Sequence, residues 1–396
     1  MRAGRSADGG TLLLVSNLYA LWLLPLVLAS AACGHSNGAA AGSGDGGSTT
    51  DGPAADAPAA DAVSCPTDDA GSDAGVYPIP TPASIQFAAK AALPSGEQLL
   101  FNDWNPQPNT VSSLTPDGAT RTVVFEIYRA WSMGVSHDAK SIAFSCGDPA
   151  QQADFGLQIG DSIQQTWIYD VPTQAIHLVA HGNINDECHT FGPGDTTLWV
   201  CRRYDFAEEG DGGNLMGTNK GYRIGRIALP SNEFTFVTAD ESSMSTVALY
   251  PQPTAGGQSV YYSTSQAVSA TQTKSTVLAM PLPCGAATVM RSDARDPVLS
   301  PDGTRYVYAD DSDKGALHAS TLDGTTAMKL TSEAGTNAAW SPDGTKVAYL
   351  VYDGTAGCSH IDVVKSDGST ATTPTRLRDC GKSGEFITEL AWFVKP

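Results

Sequence analysis

The chain has 396 residues, eight cysteines and a formal net charge of −19. Acidity of this order repels phosphate, which excludes nucleic acid as a partner. It also repels anionic headgroups, so membrane contact is expected only through an anchor.

Arg2 and Arg5 precede an apolar run from Leu12 to Ala32, which ends in Ala29-Ser30-Ala31-Ala32 before Cys33. Residues 1–32 read as a secretory signal peptide. A cysteine directly after small residues resembles the bacterial lipoprotein processing site, which implies that Cys33 becomes the lipidated first residue. Ser30 stands where that family prefers an aliphatic residue. Two alternatives therefore stay open: ordinary cleavage at Ala29-Ser30-Ala31, and retention of the run as a spanning anchor. Gly34 after the cysteine implies outer-membrane sorting by the same resemblance.

Residues 33–84 are a different material. Beyond Cys33 they carry seven Asp and no Lys or Arg among Gly, Ala, Ser and Pro. Such a composition cannot bury a core, and reads as a disordered tether. About 50 flexible residues span on the order of 40 Å.

From residue 85 to 396 the sequence is modular. Leu299-Ser300-Pro301-Asp302-Gly303-Thr304-Arg305-Tyr306-Val307-Tyr308 recurs as Trp340-Ser341-Pro342-Asp343-Gly344-Thr345-Lys346-Val347-Ala348-Tyr349. Pro presets φ, Asp bonds nearby backbone, and Gly takes the positive φ of the turn. Weaker copies begin at Ser136, Gly192 and Gly256. Pro94–Phe101 looks like a copy lacking its first strand, with Thr388–Phe393 at the chain end as the missing piece. A second hairpin follows each copy, three of them turning at Asp117-Gly118, Asp323-Gly324 and Asp367-Gly368. Six four-stranded units of blade size follow. The predicted fold is all-β: a six-bladed β-propeller closed by the C-terminal strand joining the N-terminal blade, which hides the sheet edges of an open array.

The Ser-Pro-Asp-Gly…Ala-Tyr units resemble the repeats of TolB-type propellers, which also build the non-catalytic propeller of prolyl oligopeptidases. The resemblance covers about residues 85–396 and implies a binding or scaffold role with envelope partners. Within residues 85–396 there is no Gly-x-Ser-x-Gly elbow and no His-Glu-x-x-His, and no cofactor is implied. Asp311-Ser312-Asp313-Lys314-Gly315 reads as a solvated turn rather than a calcium loop.

Exported cysteines suggest disulfides. In the propeller register Cys358 and Cys380 lie in loops on one face of the last blade, and they are the expected pair. Cys188 and Cys201 sit on adjacent strands with Cys146 close by, and the pairing among these three stays open. Cys65 pins the tether to Cys284, or either is free.

The connections Gly147–Gln165 and Arg203–Gly221 are long for a propeller, and loops of such length usually carry function. They emerge beside the loops entering the innermost strands. One rim sector is thereby expected to collect Arg129, Trp131, His181, Asn185, Asp186, His189, Arg202, Arg203 and Tyr204. Arginines among aromatics are typical binding anchors. The leading expectation is a lipid-anchored, monomeric envelope protein presenting this rim to a protein, peptide or glycan. The alternative is an enzyme. Some oligogalacturonate lyases are similar propellers with a metal held by histidines at the central mouth, and His137, His181, His189 and His360 are the residues available for it.

Overall fold

The computed structural model describes residues 81–104, 108–147, 164–182, 184–204, 222–238, 246–269, 272–381, 384 and 386–396. The signal peptide, Cys33, the tether, Cys65 and most of the two long connections lie outside these residues.

Six antiparallel sheets form a ring. Blade 1 contains β2 (Gly96–Asp103), β3 (Asn109–Leu114) and β4 (Arg121–Ile127), with the short β1 (Ala88–Ala89) added outside β4. Its innermost strand is β25 (Ile387–Lys395), the last in the chain. The pairing runs from Gly96 with Lys395 to Asp103 with Ile387, and sets Leu99 opposite Trp392. The expected closure is therefore observed. The outer β1 is an addition that the two-residue run Ala88-Ala89 did not announce.

Blade 2 is β5 (Ala130–Val135), β6 (Ser141–Cys146), β7 (Gln165–Asp170) and β8 (Ala175–Ala180). Blade 3 is β9 (Ile184–Phe191), β10 (Thr197–Tyr204), β11 (Arg223–Ala228) and β12 (Phe234–Phe236). Blade 4 is β13 (Thr246–Pro253), β14 (Ser259–Ser269), β15 (Gln272–Pro281) and β16 (Thr288–Ser292). Blade 5 is β17 (Ala294–Leu299), β18 (Arg305–Asp310), β19 (Ala316–Thr321) and β20 (Ala327–Ala334). Blade 6 is β21 (Thr336–Trp340), β22 (Lys346–Asp353), β23 (Cys358–Lys365) and β24 (Thr375–Arg378).

Two faces result. The turn face carries the hairpins joining first to second and third to fourth strands. The entry face carries the loops that lead into each innermost strand, together with the connections between second and third strands.

The turn face is built from local hydrogen bonds. In blade 6 the Ser341 hydroxyl donates to Asp343 Oδ1 at 2.6 Å, and the same oxygen accepts from Thr345 N at 3.0 Å. Lys346 N donates back to Ser341 Oγ at 2.9 Å, and Gly344 takes φ of 69°. Blade 5 repeats the net with Ser300, Asp302, Thr304 and Arg305. The degenerate copy in blade 2 keeps it too, through Ser136, Asp138, Lys140 and Ser141. There Ala139, at φ of 56°, stands where the intact copies have Gly. The accepted bonds hold the Asp343 carboxyl down at about 2, the Ser341 hydroxyl contributing most.

The core lies between adjacent blades, as in stacked sheets. Between blades 1 and 2, Phe125 meets Tyr169 at 4.8 Å and Phe144 at 5.6 Å between ring centres. Between blades 6 and 1, Leu99, Phe101, Leu114, Ala348, Ile361 and Trp392 share one cluster. The Trp340 indole N–H crosses from blade 6 to the Val298 carbonyl of blade 5 at 2.9 Å.

The Asp-Gly turns have a second use. A Cβ on Gly324 would stand 3.0 Å from the Met290 carbonyl oxygen, and one on Gly368 would stand 3.0 Å from that of Lys329. One on Gly118 would overlap the Leu377 carbonyl oxygen. Each turn thus docks on the outer strand of the preceding blade and blunts its exposed edge.

Cys358 bonds Cys380, with 5.6 Å between Cα atoms. Cys188 bonds Cys201 across β9 and β10, with 5.5 Å between Cα atoms. Cys146 is a buried thiol that donates to the Gly147 carbonyl. Cys284 is disulfide-bonded as well; the expectation that it pairs with Cys65 reaches outside the described residues. These bridges fit an oxidising, extracytoplasmic compartment.

Candidate functional site: the central channel and the entry face

The six innermost strands surround a channel of about 470 Å³. Each of them breaks register at a β-bulge. Bulges re-aim side chains and recur at functional sites. In five strands a non-glycine residue at the bulge has positive φ: Ser132 (34°), Cys188 (58°), Tyr250 (57°), Asp296 (56°) and Asn337 (48°). Glu389 occupies the bulged stretch of β25. All six residues line the channel. They form a ring in which each blade contributes one side chain, and the backbone strain marks a constraint imposed by the closed fold.

The ring is acidic on one side. Asn337 Nδ2 donates to Glu389 Oε2 at 3.1 Å. Burial, reinforced by Glu187 and Asp296, nonetheless pushes the Glu389 carboxyl up to about 8. Burial also raises Asp296, against the pull of Arg295 at 2.5 Å. Arg295 is shared with Asp311 at 3.0 Å. The Tyr250 hydroxyl is raised well above its ordinary value, chiefly by the charge of Asp296. The ring thus sets two carboxyl groups whose proton affinity burial raises, Glu389 and Asp296, beside the Tyr250 hydroxyl. Trp340, Trp392 and Phe393 stand among its walls toward the turn face.

The expected rim residues divide into two groups. Asp186, His189 and Arg202 are buried. Arg202 grips Asp186 with two bonds, of 2.6 and 2.7 Å, and lies 3.7 Å over the Phe234 ring. Thr166 Oγ1 donates to Asp186 at 2.7 Å and meets His189 Nε2 at 3.2 Å. Ser132 Oγ accepts from His189 N at 3.0 Å and faces Nδ1 at 3.2 Å. Burial lowers His189 to about 4, so the imidazole is neutral. Asn185 is buried as well. These four are buried where blades 2 and 3 meet rather than on the rim, with His189 in the channel wall. The reason is geometric: β9 is the innermost strand of blade 3 and β10 its neighbour, so their side chains meet the adjoining blade or the channel rather than the rim.

Arg129, Trp131, His181 and Arg203 are partly exposed on the entry face. Arg129 lies 5.5 Å over the Tyr128 ring, and Arg203 lies 5.2 Å over Tyr222. The backbone of Tyr204 ends β10 beside them. Trp131 meets Trp104 edge to face, with 4.6 Å between ring centres. Trp104 and Phe386, linked by a 2.8 Å backbone bond from Trp104 N, were not anticipated. Neither was Tyr352, which stacks on Phe386 at 5.9 Å. No local motif marks them.

The histidines considered for a metal do not converge. His137 is on the turn face, bound to Asp195 at 2.7 Å, His181 is on the entry face, and His189 is in the channel wall. His360 is buried in blade 6, beside Asp362 at 3.4 Å. Among the described residues no three of His, Cys, Asp and Glu come together. Asp313 in the acidic turn accepts from Lys329 at 2.6 Å and His318 at 2.9 Å, which agrees with the solvated-turn reading.

The ring does have a sequence signal. Ser132, Cys188, Tyr250, Asp296 and Asn337 each lie four positions before the residue that opens the first hairpin: Ser136, Gly192, Thr254, Ser300 and Ser341. Reading the repeat upstream of its turn finds five of the six.

No family model and no curated protein matches the sequence. The fold is matched by solved structures. TolB from Acinetobacter baumannii shares 15% identity over 77% of this chain and 68% of that chain, with a TM-score of 0.51. A chain of the nidogen/laminin complex shares 7% identity over 76% of this chain and 99% of that one, at 0.52. A chain of Kuenenia stuttgartiensis hydrazine synthase shares 11% over 77% and 47%, at 0.55. At such identities the likeness concerns architecture alone, and it agrees with the resemblance carried by the Ser-Pro-Asp-Gly units: the chain has a six-bladed propeller fold, as TolB has.

Proposed function

We propose that this protein is a non-catalytic binding propeller of the bacterial cell envelope, held to a membrane by lipid on Cys33, periplasmic or outer-membrane in location, and monomeric. Its entry face engages a protein, peptide or glycan through Arg129, Trp131, His181 and Arg203, with Tyr204 beside them. The observation that carries this reading is the concentration of partly exposed arginines and aromatic rings on one face of a closed, disulfide-braced ring. Arginine and aromatic anchors on a rigid scaffold are the usual makings of a binding hot spot. The TolB and nidogen/laminin likenesses support it by analogy of fold.

Affinity capture from solubilised envelope tests it. The wild-type chain is expected to recover a specific partner, and the Trp131→Ala/Arg203→Ala double variant is expected to lose it. Equal recovery by both removes this sector as the site.

A further inference from the structure

We propose that the central channel binds a small primary amine with an apolar body, its ammonium group set against Glu389 at the bulge ring and its body lying along the walls that lead to the turn face. This site is separate from the entry face and goes beyond the binding role proposed above.

The strands give the site its shape. Its lining runs from Ser132 to His137 in blade 2, from Asp296 to Pro301 in blade 5, from Asn337 to Pro342 in blade 6 and from Glu389 to Val394 in the closing strand. Each run begins at the bulge ring and ends at the turn face. Five residues of strand span about 16 Å, so the channel is deep, with its mouth on the turn face and the ring at its far end. A volume of about 470 Å³ is that of a small-molecule site. Polar and apolar groups are segregated along this depth. Tyr250, Asp296, Asn337 and Glu389 stand at the ring, whereas Val298, Leu299, Trp340, Leu390, Trp392 and Phe393 line the walls beyond it. A largely apolar cavity with a few polar groups converging at one end suits a ligand with one polar head.

The ring selects the charge of that head. Asp296 already has a cation in Arg295, which also serves Asp311. Glu389 differs. Among the described residues no Lys, Arg or His pairs with it, and its carboxylate accepts from the Asn337 amide at 3.1 Å. The charges that bear on it, those of Glu187 and Asp296, are of its own sign. A buried carboxyl in such surroundings keeps its proton, and Glu389 is accordingly raised to about 8. An ammonium group supplies the missing counter-charge. A carboxylate head would instead meet two like charges, and an apolar head would leave the ring's polar groups without partners.

The wall carries a second mark. The Trp340 indole N–H is bonded to the Val298 carbonyl, but that of Trp392 is buried and meets no acceptor among the described residues. Trp392 is 9% exposed and lines the channel. An unpaired donor in the wall of a cavity is a contact offered to a ligand.

Calorimetric titration of the protein at pH 7 with n-octylamine, octanol and octanoate tests the proposal. Octylamine should bind saturably at one site, tenfold or more tighter than the other two. The ammonium displaces the Glu389 proton to the buffer, so the apparent heat should vary with the ionisation enthalpy of the buffer. Glu389→Gln should weaken octylamine tenfold or more, leave octanol unchanged and abolish the proton release. Val289→Ala, at a 58% exposed position on the outer strand of blade 4, should change nothing. Proton release is read on the wild-type chain, so the test stands even if Glu389→Gln misfolds. Absence of saturable octylamine binding overturns the proposal, as does equal affinity for octanol or octanoate. Binding of octylamine without proton release, or with undiminished affinity in Glu389→Gln, overturns it too.

Discussion

The turn face and the entry face of this propeller are held together on different length scales. On the turn face the decisive bonds join residues two to five positions apart, as between Ser341, Asp343 and Lys346. On the entry face they join distant segments. Asn102 Nδ2 donates both to the Ala130 carbonyl at 2.8 Å and to Thr388 Oγ1 at 3.0 Å, the latter across 286 positions. Asp103 receives Arg378 at 2.7 Å and Arg121 at 2.5 Å. Local nets shape each blade separately, whereas the distant bonds close the ring and arrange the surface proposed to bind.

This contrast can be broken at its strong end first. Asn102→Ala removes two fully buried bonds at the seam and leaves a void, so it should cost about 3 kcal/mol. Urea denaturation should report one cooperative loss, since the seam serves all blades; a loss under 1 kcal/mol contradicts the assigned role. Asp343→Ala, which dismantles one turn net of blade 6, should cost about 1–2 kcal/mol. Its effect should shrink at low pH. The Asp343 carboxyl is depressed to about 2, so its contribution is present above the ordinary value near 4 and fades as pH falls through about 2. An undiminished effect at pH 2 would refute the ionised net.

Glu389 titrates with the opposite sign. Its carboxyl is raised to about 8, so the stability it lends is complete below the ordinary glutamate value of 4.5 and is lost as pH climbs through about 8. Glu389→Gln should flatten the stability profile between those limits. The smallest effect is expected at Ala139→Gly. Relief of a positive φ should offset the loss of a buried methyl, leaving a net change of about 0.5 kcal/mol or less. A large change in either direction would show that one of the two terms dominates at the degenerate turn.

The same difference in length scale explains what the sequence revealed. The blade boundaries, the closing strand around Trp392 and the Cys358–Cys380 pair follow from local signals repeated along the chain: Pro-Asp-Gly turns, alternating β-branched and aromatic strands, and a register that gives every loop a side. The Cys188–Cys201 bridge resolves an ambiguity that only geometry could decide, since Cys146 ends a strand of the preceding blade. The buried triad of Asp186, His189 and Arg202 was misplaced on the rim, because a charged residue near a loop looks exposed until its neighbour blade is known. Trp104, Phe386 and Tyr352 had no sequence mark, because their meeting depends on three separate strand ends arriving together. The bulge ring was legible in part, through its constant distance from each hairpin.

The position of β25 also sets an order of events. The strand that lines the channel in blade 1 follows the five other blades along the chain, whereas its partner β2 precedes them. Blades 2 to 6 can pair their strands as they emerge, but the channel lacks one wall until residues near Trp392 have left the ribosome. Loop-closure entropy makes such contacts slow. A chain without β25 carries an unpaired β2 edge and an open ring, and such an edge is a template for pairing with other chains.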